Sequence, residues 1–178
     1  CVHGSSLFST KGAQLRPYER GDDAMKTTKR LEAGLTELGK LDPRMADLWK
    51  QAGTPGPRAR PPGFSTLLRV IIGQQLSTHA AAAIWKRLQS AHMTKAKAIM
   101  SADDDTLRAA GLSRQKIRYA RALAASGIDF TRLRHCDDAE VISVLTEVSG
   151  IGVWTAEIYA MFSLSRPDIF APGDLALQ

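Results

Sequence analysis

An all-α fold is what this sequence predicts. Apolar residues recur at helical spacing through most of the chain, and N-cap and turn signals punctuate the stretches between them. No segment shows the period-two alternation of a half-buried strand.

The elements follow in order. Residues 1–23 show no sustained periodicity and are expected to form a flexible leader; Met25 could serve as a natural start. From Ala24 to Lys40, Leu31, Leu35 and Leu38 trace one face of an amphipathic helix. Asp42-Pro43 then supplies an N-cap and a proline at the first helical position of a short helix with Met45, Leu48 and Trp49 as its apolar residues. The glycines and prolines of residues 53–63 require a loop, whose Arg58 and Arg60 are either solvated or within reach of a phosphate. Residues 64–90 form the longest helical region, through Leu67, Leu68, Ile71, Ile72, Leu76, Ala80, Ala83, Ile84 and Leu88, with Ser77 as the point where it can break in two.

Residues 94–100 read as a short helix. Asp103-Asp104-Asp105 reads as an acidic helix start, favoured over a metal site, with Leu107, Ala110 and Leu112 inward. Gly111-Leu112-Ser113 closes that helix and caps the next, whose apolar stripe is Ile117, Ala120, Leu123 and Ala124. Arg114, Lys116, Arg118 and Arg121 read as its solvated face, with a nucleic-acid contact as the alternative. Trp85 and Trp49 are expected in the core. At the end, Leu175-Ala176-Leu177-Gln178 looks like a helix just beginning, so residues 24–178 are read as one domain whose C-terminal end is expected to be missing.

Composition narrows the class. The chain of 178 residues is 44% hydrophobic and 24% charged, ordinary for a globular protein. Lysine and arginine outnumber aspartate and glutamate by 24 to 18, a formal charge of +6 that suits a polyanionic partner and equally suits a merely basic protein. No apolar run approaches the ~20 residues of a membrane span, so no membrane partner is expected. Two cysteines, Cys1 and Cys136, cannot hold a four-cysteine cluster or a zinc finger, and fit a reducing, intracellular setting. The histidines, His3, His79, His92 and His135, lack metal-ligand spacing.

The most informative stretch is Val148-Ser149-Gly150-Ile151-Gly152-Val153-Trp154-Thr155-Ala156. Val141, Ile142, Leu145 and Val148 have helical spacing ahead of it, and a second helix is expected after it. Two glycines around one aliphatic residue allow a tight turn and close backbone approach. A helix opening beyond such a turn directs unpaired N–H groups and a positive dipole end outward, which makes an anion site. Asp174, after Ile169-Phe170-Ala171-Pro172-Gly173, is either an N-cap for the helix starting at Leu175 or a functional carboxylate.

The hairpin and the distant aspartate together resemble the helix–hairpin–helix (HhH-GPD) DNA glycosylase superfamily. Ile71-Ile72-Gly73-Gln74-Gln75-Leu76-Ser77, continuing through Ala80-Ala81-Ala82-Ala83-Ile84-Trp85, is similar to the 3-methyladenine DNA glycosylase II branch, as is Gly111-Leu112-Ser113 with Lys116. The resemblance covers about residues 26–178. It implies a helical bundle in two lobes with a cleft between them. It also implies a monomer acting on damaged double-stranded DNA, in the cytoplasm at the nucleoid of a bacterium or in the nucleus of a eukaryote. Serine at 149, where the family often has proline, leaves the turn geometry intact.

The resemblance also assigns roles. Asp174 would be the catalytic carboxylate, beside the sugar carbon on which positive charge develops. Gln75, with Gln74 nearby, would fill the gap left by an extruded base, and Ser77 would also contact DNA; in the alternative, the glutamines only hydrogen-bond within their helix. Trp154, with Ile158 and Tyr159, would wall the pocket, an aromatic face attracting a cationic alkylated purine; in the alternative Trp154 only packs in the core, and Tyr159 can be read either way. Gly150, Ile151, Gly152 and Thr155 would grip the DNA backbone. The carbonyls of Thr146, Val148 and Ile151 would hold a structural Na⁺ or K⁺, and no other cofactor is implied. Relatives that also nick the strand carry a lysine two residues after the second glycine. Trp154 stands there, so no Schiff base is available by that route and a monofunctional enzyme is expected. The competing readings are a non-catalytic DNA-binding module and a bifunctional glycosylase/lyase.

Overall fold

The computed structural model describes residues 28–174, and the expected leader, Met25 and the expected helix from Leu175 lie outside them. The described residues form helices joined by turns, with no strand among them. In order these are α1 (Thr28–Leu41), α2 (Pro43–Ala52), α3 (Phe64–Gly73), α4 (Thr78–Ser90), α5 (Ala96–Ser101), α6 (Asp104–Ala109), α7 (Arg114–Ala125), α8 (Phe130–Leu133), α9 (Asp138–Thr146) and α10 (Val153–Phe162).

Short polar side chains start most of them. Asp42, Ser77, Asp103, Ser113 and Asp137 each accept a first-turn amide of the helix that follows, at α2, α4, α6, α7 and α9. The acidic run is thus a helix start, with Asp104 ion-paired to Arg121 at 2.7 Å. Helix α8 was not expected. It is a single turn capped by Asp129, too short for a periodic signal.

The core is built on α3, whose Leu67, Leu68, Ile71 and Ile72 are fully buried. Helices α4 and α7 pack against it, and α10 packs against α9. Ile84, Trp85 and Leu88 from α4, Ile117, Ala120 and Leu123 from α7, and Val141 and Leu145 from α9 close the same cluster. Full burial of each large aliphatic side chain is worth roughly 1.5–3 kcal/mol. Trp85 is in the core as expected, with the Arg69 guanidinium 5.6 Å from its ring centroid.

Trp49 is not buried in the core. Helices α1 and α2 pack on each other, Gly39 facing Ala46, and neither contributes a buried residue. Trp49 is half-buried there and donates its Nε1 hydrogen to Thr54 at 3.0 Å.

Two tethers position the segments around α10. The Arg60 amide donates to the Phe162 carbonyl at 2.8 Å, and the Gly63 amide to the Tyr159 hydroxyl at 2.8 Å, so the proline-rich loop is fastened along α10. Beyond α10, Arg166 donates to the carbonyls of Cys136 (2.7 Å) and Arg134 (3.1 Å), which ties the segment leading to Asp174 to the start of α9.

Candidate nucleic-acid interface

The hairpin between α9 and α10 is built from its buried residues outward. Val148 and Ile151 pin it to the core, and the Ile151 amide donates to the Val148 carbonyl at 3.0 Å. Gly150 takes φ +92°, a left-handed backbone that other residues adopt at a cost. Gly152 is the N-cap residue of α10 and offers no side-chain cap. Among the described residues, the amides of Gly150 and Gly152 donate to no acceptor. With the first-turn amides of α10 they offer donors at a positive dipole end, the chemistry of a phosphate site. Ile151 departs from the expected grip, because its amide is already used inside the turn.

The carbonyls of Thr146 and Ile151 accept no hydrogen bond among the described residues, whereas that of Val148 accepts one. The Thr146 hydroxyl is turned back to the Ile142 carbonyl at 2.8 Å, so only the backbone of this residue is open to a cation. Unpaired carbonyls flanking one turn suit a monovalent ion.

The two adjacent glutamines face opposite ways. Gln74 points inward: its Nε2 donates to the Gly150 carbonyl at 3.0 Å and lies 3.4 Å from the Thr155 hydroxyl. Gln75 is exposed at the tip of the α3–α4 turn, with φ +56°. A non-glycine residue held there stores strain of order 1–3 kcal/mol, a cost that clusters at functional positions. Ser77 is exposed and its hydroxyl caps α4 through the Ala80 amide at 3.2 Å.

Two expected roles are corrected by burial. Tyr159 is 1% exposed, its ring is in the core near Phe130 and its hydroxyl accepts the Gly63 amide, so it has no surface to offer a base. That burial pushes its phenol up to about 12. The Thr155 side chain is 3% exposed and faces Gln74, which leaves only its backbone for DNA. Trp154, in contrast, is 38% exposed on the first turn of α10, beside exposed Val153; Ile158, one turn on, is half-buried.

Asp174 is half-buried at the end of a turn closed by its own amide on the Ala171 carbonyl at 3.0 Å. Ala171 is buried and Phe170 is 68% exposed. A cavity of about 660 Å³ between α7, α8 and α9 is lined by residues such as Ile128, Arg132, Cys136 and Glu140. Of the expected site residues it touches Val148 alone, so it is not where a base would be held.

Two residues behind the site were not assigned to it from sequence. Lys116 on α7 donates its ammonium to the carbonyls of Ile72 and Gln74 (2.9 Å to the latter), and partial burial lowers its pKa. Tyr119, one turn on, lies against Gly150. Of the basic run on α7, only Arg114 and Arg118 are exposed; Arg121 donates to the Ala102 carbonyl and to Asp104.

Residues 68–177 match the family described as "HhH-GPD superfamily base excision DNA repair protein". DNA-3-methyladenine glycosylase 1 of Schizosaccharomyces pombe is 32% identical over 124 residues, 65% of this chain and 54% of the relative, so the chain spans about half of that protein's length. A solved S. pombe 3-methyladenine DNA glycosylase (Mag1), in complex with abasic DNA, superposes with a TM-score of 0.71 at 29% identity, covering 80% of this chain and 75% of its own. A DNA-3-methyladenine glycosidase from Bacillus halodurans is 40% identical with a TM-score of 0.61, over 66% of this chain and 57% of that one.

Proposed function

The chain belongs to the HhH-GPD superfamily of base excision DNA repair proteins, and from that premise we propose that it is a monofunctional DNA glycosylase for alkylated purines. The observation that carries the reading is the hairpin: amides at Gly150 and Gly152, unpaired among the described residues and directly before α10, in one chain with the carboxylate of Asp174.

The hairpin amides hold the phosphate backbone of damaged duplex DNA, a contact that positions without reading sequence. The glycosidic carbon of a stacked nucleotide is inaccessible, so the target leaves the helix at a cost of a few kcal/mol, less at a damaged pair. Gln75, exposed and already in its left-handed conformation, enters the vacated space and offers hydrogen bonds to the orphaned base. Trp154 presents its ring to the extruded purine, with Ile158 beside it. A 3-methyladenine or 7-methylguanine carries positive charge, which an aromatic face attracts by roughly 0.5–2 kcal/mol.

Breaking the bond leaves positive charge on the deoxyribose, and Asp174 stabilises it and orients or deprotonates the attacking water. A Na⁺ or K⁺ held by the carbonyls of Thr146, Val148 and Ile151 would add positive charge facing the phosphate. With tryptophan at 154 the amine that forms the covalent sugar adduct in strand-nicking relatives is missing from that position, and the product is an intact strand with an abasic site. The protein acts as a monomer where the DNA is, at the nucleoid or in the nucleus.

A panel of duplexes, each carrying one modified base, scored for release of free base, tests this reading. Release of 3-methyladenine and 7-methylguanine with the strand left unbroken is expected. Tight DNA binding without release of any base would leave only a non-catalytic binding module.

A further inference from the structure

We propose that Gln74 and Lys116 form a strut that fixes the α3–α4 turn against the hairpin, so that the tip carrying Gln75 is held in register with the strand the hairpin grips. Both are positioning residues, and the proposal rests on the functional reading above. Helix α3 ends at Gly73, where its last carbonyls lack intrahelical partners and a cation is favoured. Lys116 fills that need from a different helix, its ammonium bonded to the carbonyls of Ile72 and Gln74. The Gln74 amide bonds back into α3, and its side chain crosses to the Gly150 carbonyl.

Gln74 is therefore engaged at its amide, its carbonyl and its side chain, and is not available to DNA. The adjoining residue, Gln75, is exposed at left-handed φ, at a distance from the hairpin that the strut determines. Gly150 is the shared element: its carbonyl faces the strut, while its amide is free to face phosphate among the described residues. A shift of the strut moves the wedge relative to the grip, and misplacement by about 1 Å can cost a reaction on the order of a hundred-fold.

The test compares single-turnover base release from two duplexes, with the lesion either paired or opposite an abasic-site analogue, where extrusion is cheaper. Gln74→Glu keeps the shape of the side chain but cannot donate to a carbonyl, and Lys116→Met removes the ammonium; Lys116→Arg restores donors. For Gln74→Glu and Lys116→Met the account expects a loss of about ten-fold or more on the paired lesion and at least about three-fold less on the unpaired one, with Lys116→Arg near wild type. A 2-aminopurine beside the lesion, brightening on unstacking, should brighten with wild type and stay dim with the first two variants. Equal losses on both duplexes, or unchanged release and brightening in a folded Gln74→Glu variant, overturn the strut. Wild type that releases no base from either duplex overturns the glycosylase reading instead, and the fluorescence comparison then still decides the strut.

Discussion

The ring of Tyr119 lies against the backbone of Gly150, so closely that a Cβ at residue 150 would clash with it, nearest to Cγ and 2.6 Å from both Cδ atoms. Two independent constraints therefore require glycine there: φ of +92° and the absence of space. Tyr119 is itself held by Gln115, whose Nε2 donates to its hydroxyl at 2.7 Å. The hairpin is thereby backed by an aromatic surface from α7. Gly150→Ala should cost about 1–2 kcal/mol from the backbone and a further 1–3 from overpacking. Urea denaturation of Gly150→Ala, Tyr119→Ala and the double variant separates the two parts, because Gly150→Ala should lose only the overpacking part of its cost once the ring is gone.

The Tyr159 phenol gives the fold a distinct alkaline limit. A tyrosine in an unfolded chain ionises near pH 10, and here burial pushes it up to about 12. Its contribution is complete below pH 10 and is lost as pH rises from about 10 to about 12, where only the unfolded chain has released the proton. The loss amounts to roughly 2–3 kcal/mol. At neutral pH, Tyr159→Phe should destabilise by about 1–3 kcal/mol, since the Gly63 amide loses its acceptor. Stability curves for both proteins against pH should converge across that window.

Ser77 caps α4, and the proposed function also sets it near the DNA backbone, so the two roles can be separated. Ser77→Ala should lower stability by about 1 kcal/mol. Ser77→Asp keeps the cap and brings a negative charge to a phosphate, so it should fold with wild-type stability and bind duplex DNA less tightly. Chemical denaturation and a DNA titration read the two effects apart.

Trp154 should matter to the reaction as well as to the fold. With 38% of its surface exposed and the rest packed, Trp154→Ala is expected to cost roughly 1–3 kcal/mol of stability while still folding. Excision of cationic 7-methylguanine should fall about 2- to 30-fold, the range a lost cation–π contact predicts. Borohydride treatment of wild type during turnover should trap no protein–DNA adduct.

Periodicity and caps carried most of the fold. The stripes of α3, α4, α7 and α9 are local patterns, and Asp42, Ser77, Asp103 and Ser113 announce helix starts within a few residues of themselves. What escaped is tertiary. The basic run on α7 gives no local sign that Lys116 and Arg121 turn inward to carbonyls while Arg114 and Arg118 stay outside. Nothing in Gln74-Gln75 says that a left-handed φ at the second sends the two side chains apart. Tyr159 is a core residue whose ring packs near Phe130 and whose hydroxyl accepts the Gly63 amide, both far away in sequence. Tyr119 is legible only once the hairpin is seen to rest on it.

Asp174 is where the account is most directly tested, by single-turnover release of 7-methylguanine from duplex DNA by Asp174→Asn, with DNA affinity measured on the same preparation. The account predicts a loss of release of at least about a hundred-fold, the scale of a removed catalytic carboxylate, with affinity changed by no more than a few-fold. Release within a few-fold of wild type would contradict it.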